Sequence, residues 1–109
     1  MPGPGGRSDA AAQPRLRLDK WLWQARFFKT RGIAAEMIES GRCRINGQRS
    51  LKPGHGILVG DVLTFIQGND VRIVRVLALG LRRGPATEAQ ELYHEIARAE
   101  RVRPPDTLE

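Results

Sequence analysis

Several things are scarce in this chain, and each scarcity removes a class of function. Cys43 is the single cysteine, so neither an internal disulfide framework nor a Cys-rich zinc site can be built. The two histidines, His55 and His94, stand without a spaced partner or a second cysteine, which leaves no metal-ligand set. No apolar run approaches the ~20 residues needed to span a bilayer. Residues 1–14, MPGPGGRSDAAAQP, lack the apolar stretch of a secretory signal. They read as a disordered leader, and the protein as cytoplasmic. A phosphate-cradling glycine loop is missing too, because GPGG lies in that leader and GHG at 54–56 lacks a lysine and a following helix. Asp61 after Gly60 suits a turn before a strand, and Asp19 suits a helix start, so no carboxylate pair converges for acid–base work. The expectation is a protein with no cofactor, no metal and no catalytic residue.

What is present is positive charge, and it is concentrated. The chain has 109 residues, a hydrophobic fraction of 40% and a formal net charge of +6. That length suits one domain with a modest core. From Arg15 to Lys52, ten Arg or Lys face only Asp19, Glu36 and Glu39, whereas residues 53–81 balance and 82–109 are slightly acidic. One block therefore carries the whole excess, which is the footprint of a surface that neutralises a polyanion. A solvated, solubility-giving face is the bland alternative. A membrane-surface helix fits less well, because the cations spread over several elements instead of one amphipathic helix.

Hydrophobic spacing orders the elements. Leu18, Trp21, Leu22, Ala25 and Phe28 fall on one stripe of a helix that should end near Phe28 or Lys29. Trp23 and Phe27 then point away from that stripe. There they either pack under a third helix or the VRIVRVLAL strand, or stack on unpaired bases. Thr30 as N-cap and Gly41 as the left-handed stop bound a second helix, with Ile33, Ala34, Met37 and Ile38 as its stripe and a one- or two-residue link before it. After Gly41 the period becomes two: Cys43 and Ile45 alternate inward with Arg42 and Arg44, and Asn46-Gly47 signals a hairpin returning through 48–51. Cys43 is thus expected to be a buried structural thiol. Asp61–Ile66 and 71–79 read as strands joined by a QGND turn. Thr87–Gln90 fits a capping box, with Ala89, Leu92, Tyr93, Ile96 and Ala97 as a third helical stripe. The order ααββββα means α+β: a helical hairpin packed on a small antiparallel sheet, plus a C-terminal helix. The expected divisions are the leader at 1–14, a main domain with its sheet extension at 15–81, a C-terminal helical segment at 82–101 and a flexible tail at 102–109.

Arg15, Arg17, Lys20, Arg26, Lys29 and Arg31 decorate the first helix and the interhelical turn, and Arg42, Arg44, Arg49 and Lys52 decorate the hairpin. Backbone N–H groups at the start of the second helix add an anion-binding end beside Lys29 and Arg31. Such a surface can track the phosphates of structured RNA, which is read largely by shape.

A pattern of residues then resembles a known family. Arg17-Leu18-Asp19, Leu22, Thr30-Arg31, Ala34, Ile38, Gly41, the Cys43-to-Gly47 run, Pro53 and Gly60-Asp61 resemble the RNA-binding domain named after ribosomal small-subunit protein S-four. More narrowly, RLDKWLWQARFFKTR, the QGND turn and RRGPATEAQELYHE are similar to the bacterial heat-shock protein fifteen family. That resemblance implies a non-catalytic protein that binds ribosomal RNA of the large subunit. It also implies action on subunits blocked by peptidyl-tRNA, in a stress response. Carried over by position, the RNA face would hold Arg17, Lys20, Lys29, Thr30, Arg31, Arg42, Asn46, Gln48, Arg49 and Lys52, beside the Arg44 read from the hairpin. The acidic final third departs from the long basic extension frequent in that family. Alternatives are a ribosome-quality-control role supporting nascent-chain tailing, an RNA-targeting module for a partner RNA-modifying enzyme, or a protein-interaction module acting through the third helix. Free in solution, the chain is expected to be a monomer.

Overall fold

The computed structural model describes residues 13–100. Except for Gln13 and Pro14, the expected leader lies outside those residues, and so does the expected tail. Strand β1 (Leu16–Arg17) runs directly into helix α1 (Leu18–Gln24), and α2 (Arg31–Glu39) follows. Next come β2 (Cys43–Ile45), β3 (Gln48–Arg49), β4 (Gly56–Ile57), β5 (Val62–Gln67) and β6 (Asp70–Val76). A short helix α3 (Ala86–Ala89), a 3-10 turn at Gln90–Leu92 and strand β7 (Tyr93–Glu100) complete the order. The five-stranded sheet is antiparallel in the order β3-β2-β5-β6-β7, and β1 pairs separately with β4. This is the expected α+β class, with the helical hairpin on a small antiparallel sheet.

The core forms between the hairpin and one sheet face. Leu18, Trp21, Leu22, Ala34 and Ile38 from the helices meet Cys43, Leu63, Phe65, Val74 and Val76 from the strands, and all are buried. Alternation along β2 and β5 supplies the inward residues, as a half-buried antiparallel sheet requires. Two polar side chains fasten α1 to the segment after β6: Trp21 Nε1–H donates to the Ala78 carbonyl and the Gln24 amide to that of Leu79, each at 2.9 Å.

Both helix ends have a clear physical cause. Gly41 (φ 84°) closes α2 with Gly41 N–H on the Ile38 carbonyl and Arg42 N–H on that of Met37. Thr30 caps its start, its hydroxyl accepting from Ile33 N–H at 3.1 Å. The first helix stops earlier than its apolar stripe predicts, at Gln24 instead of Phe28 or Lys29. Arg26 takes the left-handed position (φ 65°) that glycine usually fills, with Arg26 N–H on the Trp23 carbonyl and Phe27 N–H on that of Leu22. A left-handed L-residue costs about 1–2 kcal/mol. Here the Arg26 side chain is anchored in compensation, Nε–H donating to the Gly84 carbonyl at 2.6 Å. Residues 25–30 therefore form a six-residue connection where one or two were expected.

This early stop redirects Phe27. Its ring is buried, 4.9 Å from Phe65 and 4.5 Å from Tyr93 between centroids, with the Arg72 guanidinium 4.8 Å above it. Phe27 belongs to the core and offers no surface to a base.

The C-terminal helix is also much shorter than its stripe. Leu92 ends the helical residues, and Tyr93 is already extended (φ −149°, ψ 161°). From there the chain pairs with β6 along the register Val76↔Tyr93 to Asp70↔Glu100, with a bulge opposite Ile73/Val74. The ladder satisfies the backbone groups that β6 would otherwise leave open, and tertiary pairing overrides the local helical period. A clamp reinforces it. Arg72 forks onto Glu95 at 2.7 and 2.8 Å and donates to Gln67 at 2.7 Å, while the Gln67 amide donates to the Phe27 carbonyl at 2.6 Å.

Candidate nucleic-acid interface

Asp19 gathers two of the expected cations, Arg17 and Arg31. Arg17 forks onto its carboxylate, Nε–H to Oδ1 and Nη2–H to Oδ2, both at 3.0 Å. Arg31 reaches the same Oδ1 at 3.4 Å from the start of α2. The Asp19 side chain is 6% exposed, whereas Arg17 and Arg31 remain 54% and 42% exposed. A buried carboxylate thus holds two guanidinium groups at the surface. Burial alone would raise the Asp19 pKa; the hydrogen bond and charge of Arg17, with the charge of Arg31 and the Lys20 backbone N–H, leave it below the ordinary carboxylate value.

The loop after the hairpin is fastened to the same place. Leu18 N–H donates to the His55 carbonyl at 2.9 Å and Asp19 N–H to that of Pro53 at 3.1 Å, while Arg17 pairs with Gly56 across β1 and β4. Lys52, exposed at the head of this loop, directly precedes the Pro53 whose carbonyl Asp19 N–H holds. Gly54 lets the guanidinium lie close: a Cβ there would stand 3.2 Å from Arg17 Nη1.

The hairpin contributes a second arrangement. Asn46 (φ 52°) and Gly47 (φ 88°) are both left-handed, as a two-residue type I′ turn requires. The register sets Arg44 directly opposite Arg49, with neither ion-paired among the described residues. Like charges facing one another across a ladder are unfavourable, and a phosphate between or beside them would relieve the repulsion. Arg49 also packs over Gly41, where a Cβ would meet its Cδ at 3.6 Å. This ties the hairpin cation to the end of α2.

Comparison with known proteins fits this geometry. Escherichia coli (strain K12) heat shock protein 15 is 55% identical over 82 residues, 75% of this chain and 61% of that protein. The chain thus spans about three-fifths of the length of that relative. A solved structure of Vibrio cholerae heat shock protein 15, described as trimeric, superposes with a TM-score of 0.72 at 44% identity, covering 77% of this chain and 84% of that one. The chain belongs to the heat shock protein 15 family. Residues 16–63 match the S4 domain, the segment that holds β1, the helical hairpin and the cationic β-hairpin. A protein of Listeria innocua named RQC P-site tRNA stabilizing factor is 33% identical over 82 residues, 88% of its length and 73% of this chain.

Within this heat shock protein 15 family member, the site residues expected from sequence separate by environment. Lys29, Arg42, Arg44, Gln48, Arg49 and Lys52 are exposed, and Lys20 is half-buried. Thr30 is exposed while its hydroxyl serves the cap. Asn46 is exposed, but its polar groups are already partnered: its amide donates to Asp61 at 3.1 Å and its carbonyl oxygen accepts from Val62 N–H at 2.9 Å. Asp61 also accepts from Leu58 N–H at 2.9 Å, so Asn46 and Asp61 lock the hairpin onto β5. Trp23 is half-buried, with the Arg83 guanidinium 5.6 Å from its ring centre and Arg83 Nε–H on its carbonyl. Arg26 is committed to Gly84.

The contacts that Asp19 and Gly54 make with Arg17 escaped the sequence reading. The RLD run of 17–19 holds the Arg17–Asp19 spacing in plain view, but an acidic residue at a helix start has a sufficient local explanation in the helix dipole. Nothing in the spacing reveals that Arg31 comes back to it. Among the described residues no cluster of His, Cys, Asp or Glu could hold a metal ion, and no helix is long and apolar enough to cross a membrane.

Proposed function

We propose that this chain is a non-catalytic RNA-binding protein whose cationic surface engages ribosomal RNA of the large subunit. In this reading it helps recycle subunits blocked by peptidyl-tRNA. The observation that carries the reading is the Arg17–Asp19–Arg31 cluster together with exposed hairpin cations that have no carboxylate partner among the described residues. Uncompensated cations and a guanidinium held by a two-bond fork suit a phosphate backbone, where neutralisation releases counterions. The S4 domain match and the family resemblance support RNA as the polyanion. Ribosomal RNA, the large subunit and peptidyl-tRNA are the partners so proposed, with the cytoplasm as the compartment.

Cosedimentation tests it. The protein should travel with large subunits in low-salt gradients, more strongly with subunits bearing peptidyl-tRNA, and its affinity should fall with a log–log salt slope of roughly −4 to −5 for five or six phosphates. Arg31→Glu should weaken binding broadly across RNA sequences. A protein that stays at the top of every gradient, or an Arg31→Glu variant that binds as wild type, overturns the assignment.

A second reading, support of nascent-chain tailing on stalled ribosomes, is favoured by the 33% identity to the Listeria factor across 88% of its length. Deletion of the gene followed by measurement of nascent-chain tails separates the two: lost tails favour tailing, and unchanged tails with delayed subunit recycling favour recycling.

A further inference from the structure

We propose that Asp19 is a positioning residue for RNA binding: its buried carboxylate fixes the Arg17 guanidinium by a two-bond fork and draws that of Arg31 to the same carboxylate, so that an acidic residue strengthens the grip on a polyanion. The proposal rests on reading the cationic surface as an RNA interface. Charge alone predicts the opposite. Removing an acid from a basic face raises its potential, so a purely electrostatic account has Asp19 weakening RNA binding.

Three observations favour positioning. The carboxylate is 6% exposed, so protein surrounds the side that would repel a phosphate, while the arginines it holds remain half-exposed. The Arg17 contact is a two-bond fork at 3.0 and 3.0 Å, which fixes the plane of the guanidinium as well as its place. Asp19 and Arg31 lie on different helices, so the contact also sets the start of α2 against that of α1. An arginine left free would have to surrender its rotamer freedom on binding RNA; one already held has less to lose. Gly54 shares the task. It shows no left-handed backbone angle, so alanine is conformationally allowed there, yet its Cβ would stand 3.2 Å from Arg17 Nη1 and 3.4 Å from Cζ, so the guanidinium would have to shift by a few tenths of an ångström from its place on Asp19.

The test uses the full chain with a fluorescently labelled stem-loop RNA and, in parallel, isolated large ribosomal subunits. Asp19→Asn should weaken binding about tenfold, equivalent to about 1.4 kcal/mol, although it raises the net charge. The salt slope should be unchanged, because the same phosphates are still neutralised. Loss of an arginine contact, by contrast, should lower the slope by about one. In a background of Arg17→Ala and Arg31→Ala the Asp19→Asn effect should vanish, which a general loss of structure would not produce. Gly54→Ala, at unchanged charge, should weaken binding about threefold, and it decides the matter if Asp19→Asn does not fold. If Arg31→Glu weakens binding while Asp19→Asn and Gly54→Ala bind as well as wild type or better, positioning is wrong and the interface stands. If Arg31→Glu has no effect, both fall.

Discussion

Shortening Phe27 distinguishes a core ring from a base-stacking ring, because the two fail in different assays. The Phe27 side chain is 5% exposed and touches Phe65, Tyr93 and Arg72 across three elements of the sheet region. Burial of a phenylalanine removes about 150–250 Å² from water, or about 4–6 kcal/mol at about 25 cal/mol per Å² as an upper estimate. Measured Phe→Ala losses in cores run about 3–5 kcal/mol, and the lost cation–π contact with Arg72 adds to the cost. We expect Phe27→Ala to lose about 4 kcal/mol, much of the stability of a small domain. Phe27→Leu keeps most of the volume and should lose about 1–1.5 kcal/mol. With a urea m-value of about 1.5 kcal/mol/M, the midpoint of the leucine variant falls by about 0.7–1 M. Its RNA affinity, measured well below that midpoint, should match wild type. A leucine variant with an unchanged midpoint and weakened RNA binding would refute the core assignment and return Phe27 to the interface.

Two further outcomes follow from named contacts. Burial pushes the Cys43 thiol from 9.0 up to about 12, so the native protein should resist iodoacetamide at pH 8 and react at its unfolding rate. Because the folded pKa is raised, the thiol's contribution to stability is complete below about pH 9 and is lost as pH rises towards 12; Cys43→Val should abolish that part of an alkaline stability profile, and an identical profile would disprove it. Arg49→Gln removes a charge that faces Arg44 across the hairpin. It should stabilise the free protein by about 0.2–1 kcal/mol in low salt while lowering RNA affinity and the salt slope, and a destabilised variant with full affinity would contradict the cross-strand reading.

The helical hairpin, the turn at Asn46-Gly47 and the inward alternation of Cys43 and Ile45 were legible because each rests on local chemistry. Thr30 can accept from a helix N–H, Gly41 tolerates a left-handed angle, and a period of two marks a sheet face. The overrun of α1 has an equally local reason. Its left-handed stop is an arginine, so the usual glycine signal is missing, and what steadies Arg26 is a carbonyl 58 residues away. Residues 93–100 fit a helical stripe when read alone. Their β conformation comes from the open edge of β6 and from the Arg72–Glu95 fork, 23 residues apart in the chain.

The candidate site divides along the same line. Composition and spacing alone determined that the positive charge lies between Arg15 and Lys52, that two helices and a hairpin carry it, and which cations can point outward. Only the tertiary structure decided that Asp19 gathers Arg17 and Arg31, that Asn46 is spent on Asp61 and Val62, and that Phe27 is sealed under Tyr93 and Arg72. Periodicity and capping act over a few neighbouring residues, so they are written in order along the chain. Ion pairs, ladders and ring contacts act through space, and their partners are known only once the chain has folded.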